Sequence, residues 1–270
     1  MFNLIKMEFY RLFRTKSVKI GAICAAVVSF MYMLFNFGIL ELVKRLLPDA
    51  AFGIGMLFSV VFWLEGVDFA EIILKATGAF SLFLSCVIAA SYIGAEQSSG
   101  YVKNIAGQLP NRGLLIGSRF VATCFIQFMV LAIYTVVSSA CALIFFGKYI
   151  NACSIGALIF GLILRFLLFC AVDAALLFFC TLTKSHAIAM VIGAIFGTGA
   201  TGIVYSTASV FLSILKINVN ISMLMPDGIN GLINPSSVGE IAVRAILVSA
   251  IFILGFTFSA AMVIKKRDVK

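Results

Sequence analysis

Two ionisable side chains, Arg165 and Asp173, interrupt residues 154–180, a stretch that otherwise contains no Asp, Glu, Lys or Arg. Eight residues turn an α-helix by about 800°, so the two side chains would lie some 80° apart around the helix axis and roughly 12 Å apart along it. They therefore do not pair within one helix. Either they form a polar patch on a transport path, or each pairs with a neighbouring helix, with Arg165 alternatively extending to the lipid headgroups.

The other reactive side chains do not combine into a catalytic or metal-binding pattern. His186 is the only histidine and stands beside Lys184, where we expect a solvated loop residue. None of the seven cysteines forms a Cys-x-x-Cys pair, and most fall in apolar segments, where a thiol behaves as a small hydrophobic group. The sequence has no Gly-x-x-x-x-Gly-Lys-Ser/Thr loop for ATP. We therefore predict no enzymatic activity, no metal site and no cofactor bound by this chain.

The elements that must position these residues follow from the composition. Of the 270 residues, 63% are hydrophobic and only 11% are charged, although the net charge is +9. A soluble domain is usually about half apolar and about a quarter charged, so a soluble enzyme is excluded. The composition predicts an all-α integral membrane protein with a single transmembrane domain over residues 1–270.

A helix needs about 20 apolar residues to cross the hydrocarbon core of a bilayer. Six segments are predicted to span: 20–40, 76–95, 120–147, 154–180, 187–215 and 245–264. An even number of spans places both termini on one side. Of the 20 Lys and Arg residues, 13 flank the spans on that side and six flank the opposite side. The termini are therefore predicted to be cytoplasmic, and the positive charge indicates orientation rather than nucleic-acid binding.

Two further segments are predicted to lie at the membrane surface. Residues 1–19 are basic, and their apolar side chains recur at helical spacing, which favours an amphipathic interfacial helix. Residues 50–64 are uncharged but would form only roughly 22 Å of helix. We interpret them as a re-entrant or interfacial segment on the outer face, since a crossing would place the basic C-terminus outside.

The predicted cytoplasmic loop 96–118 carries the most specific pattern. Between Gly100 and Pro110, apolar residues recur at the spacing of a short amphipathic helix. Such a coupling helix would present a rigid surface to a cytoplasmic partner. The alternative is an ordinary solvated connector. A new helix is predicted to begin at Pro110-Asn111 and to continue through Arg112 and Arg119 into the third span.

The order of residues in this loop resembles that of type-2 ABC transporter permeases. The matching positions are Glu96, Gly100, Lys103, Pro110, Asn111, Arg112 and Arg119. The basic N-terminus, the six spans and the Lys-Lys-Arg-Asp sequence at 265–268 fit the family too, so the resemblance covers the whole chain. It implies that the loop docks into a separate ATP-hydrolysing subunit through Glu96, Gly100, Tyr101, Lys103, Pro110, Asn111 and Arg112.

The same resemblance implies the partners and the cargo. A pair of ABC ATPase subunits would hold ATP and Mg, and a second permease chain, identical or paralogous, would pack through the first and fifth spans. Gly193 and Gly197 would suit that dimer contact. Two short re-entrant helices are expected within residues 216–244. The short permeases of this family export antimicrobial peptides, lantibiotics or bacitracin-like compounds, which implies an amphipathic or hydrophobic cargo leaving a bacterial cell through the plasma membrane.

The sequence is also compatible with two other classes of protein. An ATP-independent secondary transporter or channel often shows inverted repeats and several intramembrane ionisable groups. This chain has two such groups, and its halves show no repeat. A membrane assembly or sensor subunit would need an interaction surface but no transport path, and the sequence does not exclude it.

Overall fold

The fold of this chain is built from helices, most of them long and apolar. The computed structural model describes residues 2–46, 67–78, 80–98, 113–148, 150–183, 185–214 and 220–266. The helices, in chain order, are α1 (Phe2–Arg14), α2 (Lys16–Leu46), α3 (Phe69–Gly78), α4 (Phe80–Ser98), α5 (Gly113–Phe146), α6 (Ile155–Thr183), α7 (His186–Gly197), α8 (Thr201–Ile214), α9 (Pro226–Asn230) and α10 (Val238–Lys266). Two short strands, β1 (Val67–Asp68) and β2 (Ile150–Ala152), pair in parallel.

The long helices expose apolar faces along their length. Five helical stretches are long and apolar enough to cross a membrane, and α7 and α8 together would make a sixth. On α10 the exposed side chains that follow helical spacing are Val243, Leu247, Ile251, Leu254 and Phe258. So long an apolar stripe is unusual on a water-soluble monomer, but it suits contact with lipid tails. The chain is therefore a predominantly α-helical, multi-pass membrane protein.

Helix α3 begins at Phe69, before the predicted span of residues 76–95. Its early turns contain Glu71 and Lys75, whose charged atoms lie 2.6 Å apart. Charges of opposite sign one turn apart stabilise a helix. A boundary drawn at the first uncharged residue therefore starts this helix too late.

Helix α5 also begins early, at Gly113 rather than at residue 120. It includes Arg119, which lies between the predicted loop 96–118 and the predicted span 120–147, and this side chain is only 2% exposed. The last six residues of the predicted coupling loop are thus part of the long helix α5.

The predicted fifth span, residues 187–215, is bent rather than straight. Helices α7 and α8 meet at an angle of 66° across residues 198–200. Gly199 has φ of +71°, a backbone conformation that side chains with a Cβ rarely adopt. The prediction of one continuous helix here is corrected, because the chain turns at this glycine.

Helix α1 packs against the bundle through the apolar stripe seen in the sequence. Leu12 is fully buried. The rings of Phe9 and Phe13 meet Phe125 of α5 edge to face, with centroids 5.0 and 5.8 Å away. The helix ends at Arg14, and α2 starts anew at Lys16.

At the opposite end of the bundle, β1 and β2 join the start of α3 to the start of α6. The carboxylate of Asp68 accepts the backbone N–H of Ala70, the second residue of α3, at 2.9 Å. It also accepts the backbone N–H of Ser154 at 3.1 Å, and the Ser154 hydroxyl donates to it as well. The predicted outer segment 50–64 lies outside the described residues.

The connection from α8 to α10 is short and irregular where it is described. A 3-10 turn, Ile221–Leu224, precedes the five-residue helix α9. The sequence resemblance implies two re-entrant helices in this region. Within residues 220–237, the structure has this turn and α9.

Candidate functional site

Arg165 lies where three helices meet. It stands ten residues into α6, roughly 15 Å along the axis, in the interior of the fold, and is 2% exposed. Its Nε donates to Oδ1 of Asn230 at 2.8 Å, and its Nη2 donates to the carbonyl of Asn230 at 3.4 Å. Its Nη1 donates to the hydroxyl of Thr77 at 2.6 Å and to the carbonyl of Leu74. The guanidinium thereby joins α6 to α9 and to the end of α3.

The two acceptors on α3, the carbonyl of Leu74 and the hydroxyl of Thr77, stand one turn apart, so a single guanidinium nitrogen reaches both. Oxygen atoms placed around a buried cation replace part of the hydration that it loses. The packing of α3 against α6 therefore puts these oxygens at the depth of Arg165.

Gly78 leaves the space that the guanidinium occupies. A Cβ at this position would lie 2.9 Å from Nη2 of Arg165, closer than atoms in contact normally approach. The carbonyl of Gly78 accepts Nδ2 of Asn230 at 3.2 Å. Asn230 therefore accepts a hydrogen bond from α6 and donates one to α3 with the same side chain.

Helix α9 is held in place from its other end by Asp227. The carboxylate of Asp227 accepts the hydroxyl of Tyr205 at 3.0 Å and also the hydroxyl of Thr201, both from α8. Buried contacts of Ile229 with the core around Leu74 add apolar packing. These bonds connect the bent α7–α8 unit through α9 to the Arg165 site.

No carboxylate among the described residues lies within ion-pair distance of Arg165. The positive charge is instead surrounded by carbonyl, amide and hydroxyl oxygens. An isolated charge in a membrane interior is costly unless such groups replace its hydration. The site is thus a buried cation held by neutral dipoles.

Asp173 lies two turns further along α6 and has a different partner. Its Oδ1 accepts Nε2 of Gln127, on α5, at 2.6 Å. Asp173 is 1% exposed and Gln127 is fully buried. The structure therefore places Arg165 and Asp173 in separate contacts with neighbouring helices, which fits the structural interpretation of these residues.

The two glycines predicted as a dimer contact face α4 of the same chain. A Cβ at Gly193 would lie 3.0 Å from Cβ of Cys86, and one at Gly197 would lie 2.7 Å from the backbone nitrogen of Phe83. Both glycines are buried. The prediction of a dimer contact here is corrected, because the small residues bring α7 close to α4 and that face is already covered.

The predicted ATPase-coupling residues fall mostly outside the described residues. Glu96 lies in the last turn of α4. Those outside the described residues are Gly100, Tyr101, Lys103, Pro110, Asn111 and Arg112. The helices that flank this loop, α4 and α5, are described on both sides of it.

The N-terminal helix is bonded to α4 one turn before Glu96. The hydroxyl of Tyr92 donates to Oε2 of Glu8 at 2.6 Å, and Glu8 is fully buried. Arg11 forms an ion pair with the same Oε2 at 3.1 Å, and its guanidinium lies 4.5 Å from the centre of the Tyr92 ring. Polar and apolar contacts together fix α1 beside the start of the loop.

No protein-family model, curated protein or solved structure matches this chain. The resemblance to type-2 ABC permeases therefore stays a prediction that rests on the sequence pattern.

Several residues of these contacts were not found from the sequence. Asn230, Thr77 and Gln127 are polar but uncharged, so they do not stand out in segments that are defined by the absence of Asp, Glu, Lys and Arg. Gln127 is the one amide side chain within the apolar segment 120–147, and that was an available signal.

Proposed function

We propose that this chain is the membrane-spanning permease subunit of an ATP-driven exporter in a bacterial plasma membrane, with both termini in the cytoplasm. The observation that carries the proposal is the pattern from Glu96 to Arg112, placed between two long apolar helices. This chain has no phosphate-binding loop of its own, so ATP and Mg would be held by a partner ATPase pair.

The packing of α1 supports this proposal. The buried contact between Glu8 and Tyr92 ties α1 to α4, and Phe125 ties it to α5. The two helices that flank the loop and the amphipathic N-terminal helix thus form one packed unit. A movement imposed on the loop by a partner would be transmitted to the spans through this unit.

The proposed cargo is an amphipathic or hydrophobic compound such as an antimicrobial peptide. The described helices are lined with Phe, Leu, Ile and Ala and contain few ionisable groups. Such walls suit a cargo that already partitions into lipid. A second permease chain would complete the path, and it would pack on faces other than the one around Gly193 and Gly197.

Co-expression of the full chain with a candidate ABC ATPase subunit, sought among the neighbouring genes, tests the proposal. We expect the two to co-purify as a complex of two permease and two ATPase chains, measured by native mass spectrometry. The variant Arg112→Glu reverses a charge in the loop and should abolish the complex. The control Lys148→Glu makes the same change on an exposed residue predicted to lie on the opposite side and should not.

A chain that never associates with an ATPase, while it remains folded and inserted, would overturn the proposal. A secondary transporter or channel, or an assembly or sensor subunit, would then be the better interpretation.

A further inference from the structure

Two oxygen atoms in the contact between Asp173 and Gln127 accept no hydrogen bond. Nε2 of Gln127 donates to Oδ1 of Asp173 at 2.6 Å. The other oxygens of the pair, Oδ2 of Asp173 and Oε1 of Gln127, are buried and have no hydrogen-bond partner. A buried acceptor without a donor costs roughly 1–3 kcal/mol. Two such atoms in one contact therefore need a physical explanation.

A single proton would satisfy both atoms. A protonated carboxyl group and a primary carboxamide are complementary, because each has one acceptor oxygen and at least one donor hydrogen. The amide N–H donates to one carboxyl oxygen, and the carboxyl O–H donates back to the amide oxygen. The first of these two bonds is present between Gln127 and Asp173, and the two oxygens that would form the second are both buried and unpartnered.

We propose that Asp173 and Gln127 together bind one proton inside the membrane-embedded part of the fold. The proton is taken from water, resides on Oδ2 of Asp173 and is donated to Oε1 of Gln127. The pair is therefore a neutral, doubly hydrogen-bonded contact between α5 and α6.

The surroundings of Asp173 favour this neutral form. The Thr123 hydroxyl lies within hydrogen-bonding reach of the carboxyl, where it would stabilise the ionised form, but its single hydrogen is donated to the carbonyl of Phe120 at 3.0 Å. Among the described residues, the thiols of Cys86 and Cys170 are titratable groups close enough to interact electrostatically with Asp173. Arg165 is eight residues away on the same helix, roughly 12 Å along the axis, and is bonded elsewhere. Within the described residues, no cation pairs with Asp173.

An ionised carboxylate without a cation is expensive in a bilayer interior, whereas a hydrogen-bonded carboxylic acid is not. A bound proton consequently means that Asp173 does not compensate the charge of Arg165. The inference concerns the protonation of this contact alone and holds whatever the chain transports.

Infrared spectroscopy of the full chain in vesicles of phosphatidylethanolamine and phosphatidylglycerol tests this proposal at neutral pH. The difference spectrum between the wild-type protein and Asp173→Asn should show the loss of one protonated-carboxyl band. An Asn side chain has the same shape and can form both hydrogen bonds with Gln127. The melting temperature of Asp173→Asn should therefore stay near that of the wild type, and that of Asp173→Leu should fall.

Two further variants keep the test decisive if Asp173→Asn does not fold. Gln127→Leu retains the carboxyl but removes its partner, so the band should shift to the position of a carboxyl without a hydrogen bond. Thr123→Val removes only the neighbouring hydroxyl, so the band should stay in place. Loss of an ionised-carboxylate band in Asp173→Asn would overturn the proposal. A second result would also overturn it: the wild-type spectrum shows no protonated-carboxyl band, and Na⁺ raises the melting temperature of the wild-type protein. In that case a cation, not a proton, would bridge the two oxygens.

Discussion

Arg165 of α6 and Asn230 of α9 are joined by two hydrogen bonds in the interior of the fold, from Nε to Oδ1 at 2.8 Å and from Nη2 to the carbonyl at 3.4 Å. The same Asn230 donates to the carbonyl of Gly78 at the end of α3. Helix α9 has only five residues, and a helix this short is not stable alone. Its position therefore depends on the buried cation and on Asp227 at its other end.

Replacement of Arg165 by Met should destabilise the protein by about 3 kcal/mol or more, because several buried acceptors would lose a charged donor worth roughly 1.5–3 kcal/mol each. Arg165→Lys should recover only part of this loss, since an ammonium cannot reproduce the planar fork of donors. The free energy of unfolding, measured by denaturant titration in mixed micelles, checks both values.

The control is Arg244→Met, because Arg244 is an exposed arginine on α10. It should change stability by less than about 0.5 kcal/mol, as expected for a surface substitution. Equal effects at Arg165 and Arg244 would mean that the buried hydrogen bonds do not hold the fold.

Because α7 lies close to α4, we predict that Gly197→Ala lowers the stability of the protein substantially. A Cβ at this position would collide with the backbone of Phe83, which cannot move aside as a flexible side chain could. Overpacking of this kind costs about 1–3 kcal/mol. Gly202→Ala is the matched control, because a Cβ at Gly202 meets nothing within 4 Å. A neutral Gly197→Ala, measured by thermal unfolding, would contradict the packing described.

The bond between Tyr92 and Glu8 predicts that Tyr92→Phe loosens α1. The substitution leaves a buried carboxylate oxygen without its phenolic donor, at a cost of roughly 1–3 kcal/mol. Hydrogen–deuterium exchange of residues 2–14 should accelerate, while exchange in α6 should not. Tyr10→Phe removes the same hydroxyl from an exposed side chain and serves as the control. Equal exchange of α1 in the two variants would argue against this contact as its anchor.

Because the exposed stripe of α10 is apolar, we predict that a lysine introduced there hinders membrane insertion, and more so near the middle of the helix than near its end. Leu254 is 70% exposed and lies near the middle of the helix. Leu254→Lys should cost about 2.5–3.5 kcal/mol of membrane insertion, the penalty for a charge at the centre of a span. Val243→Lys, near the end of the helix, should cost much less because a long side chain can reach the headgroups there. The inserted fraction in a translocation assay measures both, and a tolerated Leu254→Lys would mean that this face meets water.

The fold class could be predicted from the sequence because membrane spans are dominated by one property, the apolar run. The ends of the long helices follow from it to within seven residues. The early start of α3 could not be found this way, because Glu71 pairs with Lys75. The early start of α5 agrees instead with the helix predicted to continue from Pro110-Asn111 into the third span. The bend at Gly199 falls in a run of four glycines within ten residues, which in the sequence indicates either a close packing face or a flexible segment; the backbone torsion of Gly199 makes it a bend.

The candidate site was predicted only in part for a related reason. Arg165 and Asp173 stand out because charge is rare in a span, and the helical spacing correctly separates them. Their partners are neutral groups from distant parts of the chain, such as Asn230, 65 residues away. Such long-range pairing depends on tertiary packing and leaves no local pattern.

The rate of ATP hydrolysis by the partner ATPase, measured in lipid vesicles with and without this chain, tests the proposed function most directly. We predict that the rate rises several-fold when the chain is present and returns to the basal value with Arg112→Glu, but not with Lys148→Glu. A rate that is the same with and without the folded, inserted chain would contradict the assignment of this protein as an ABC permease.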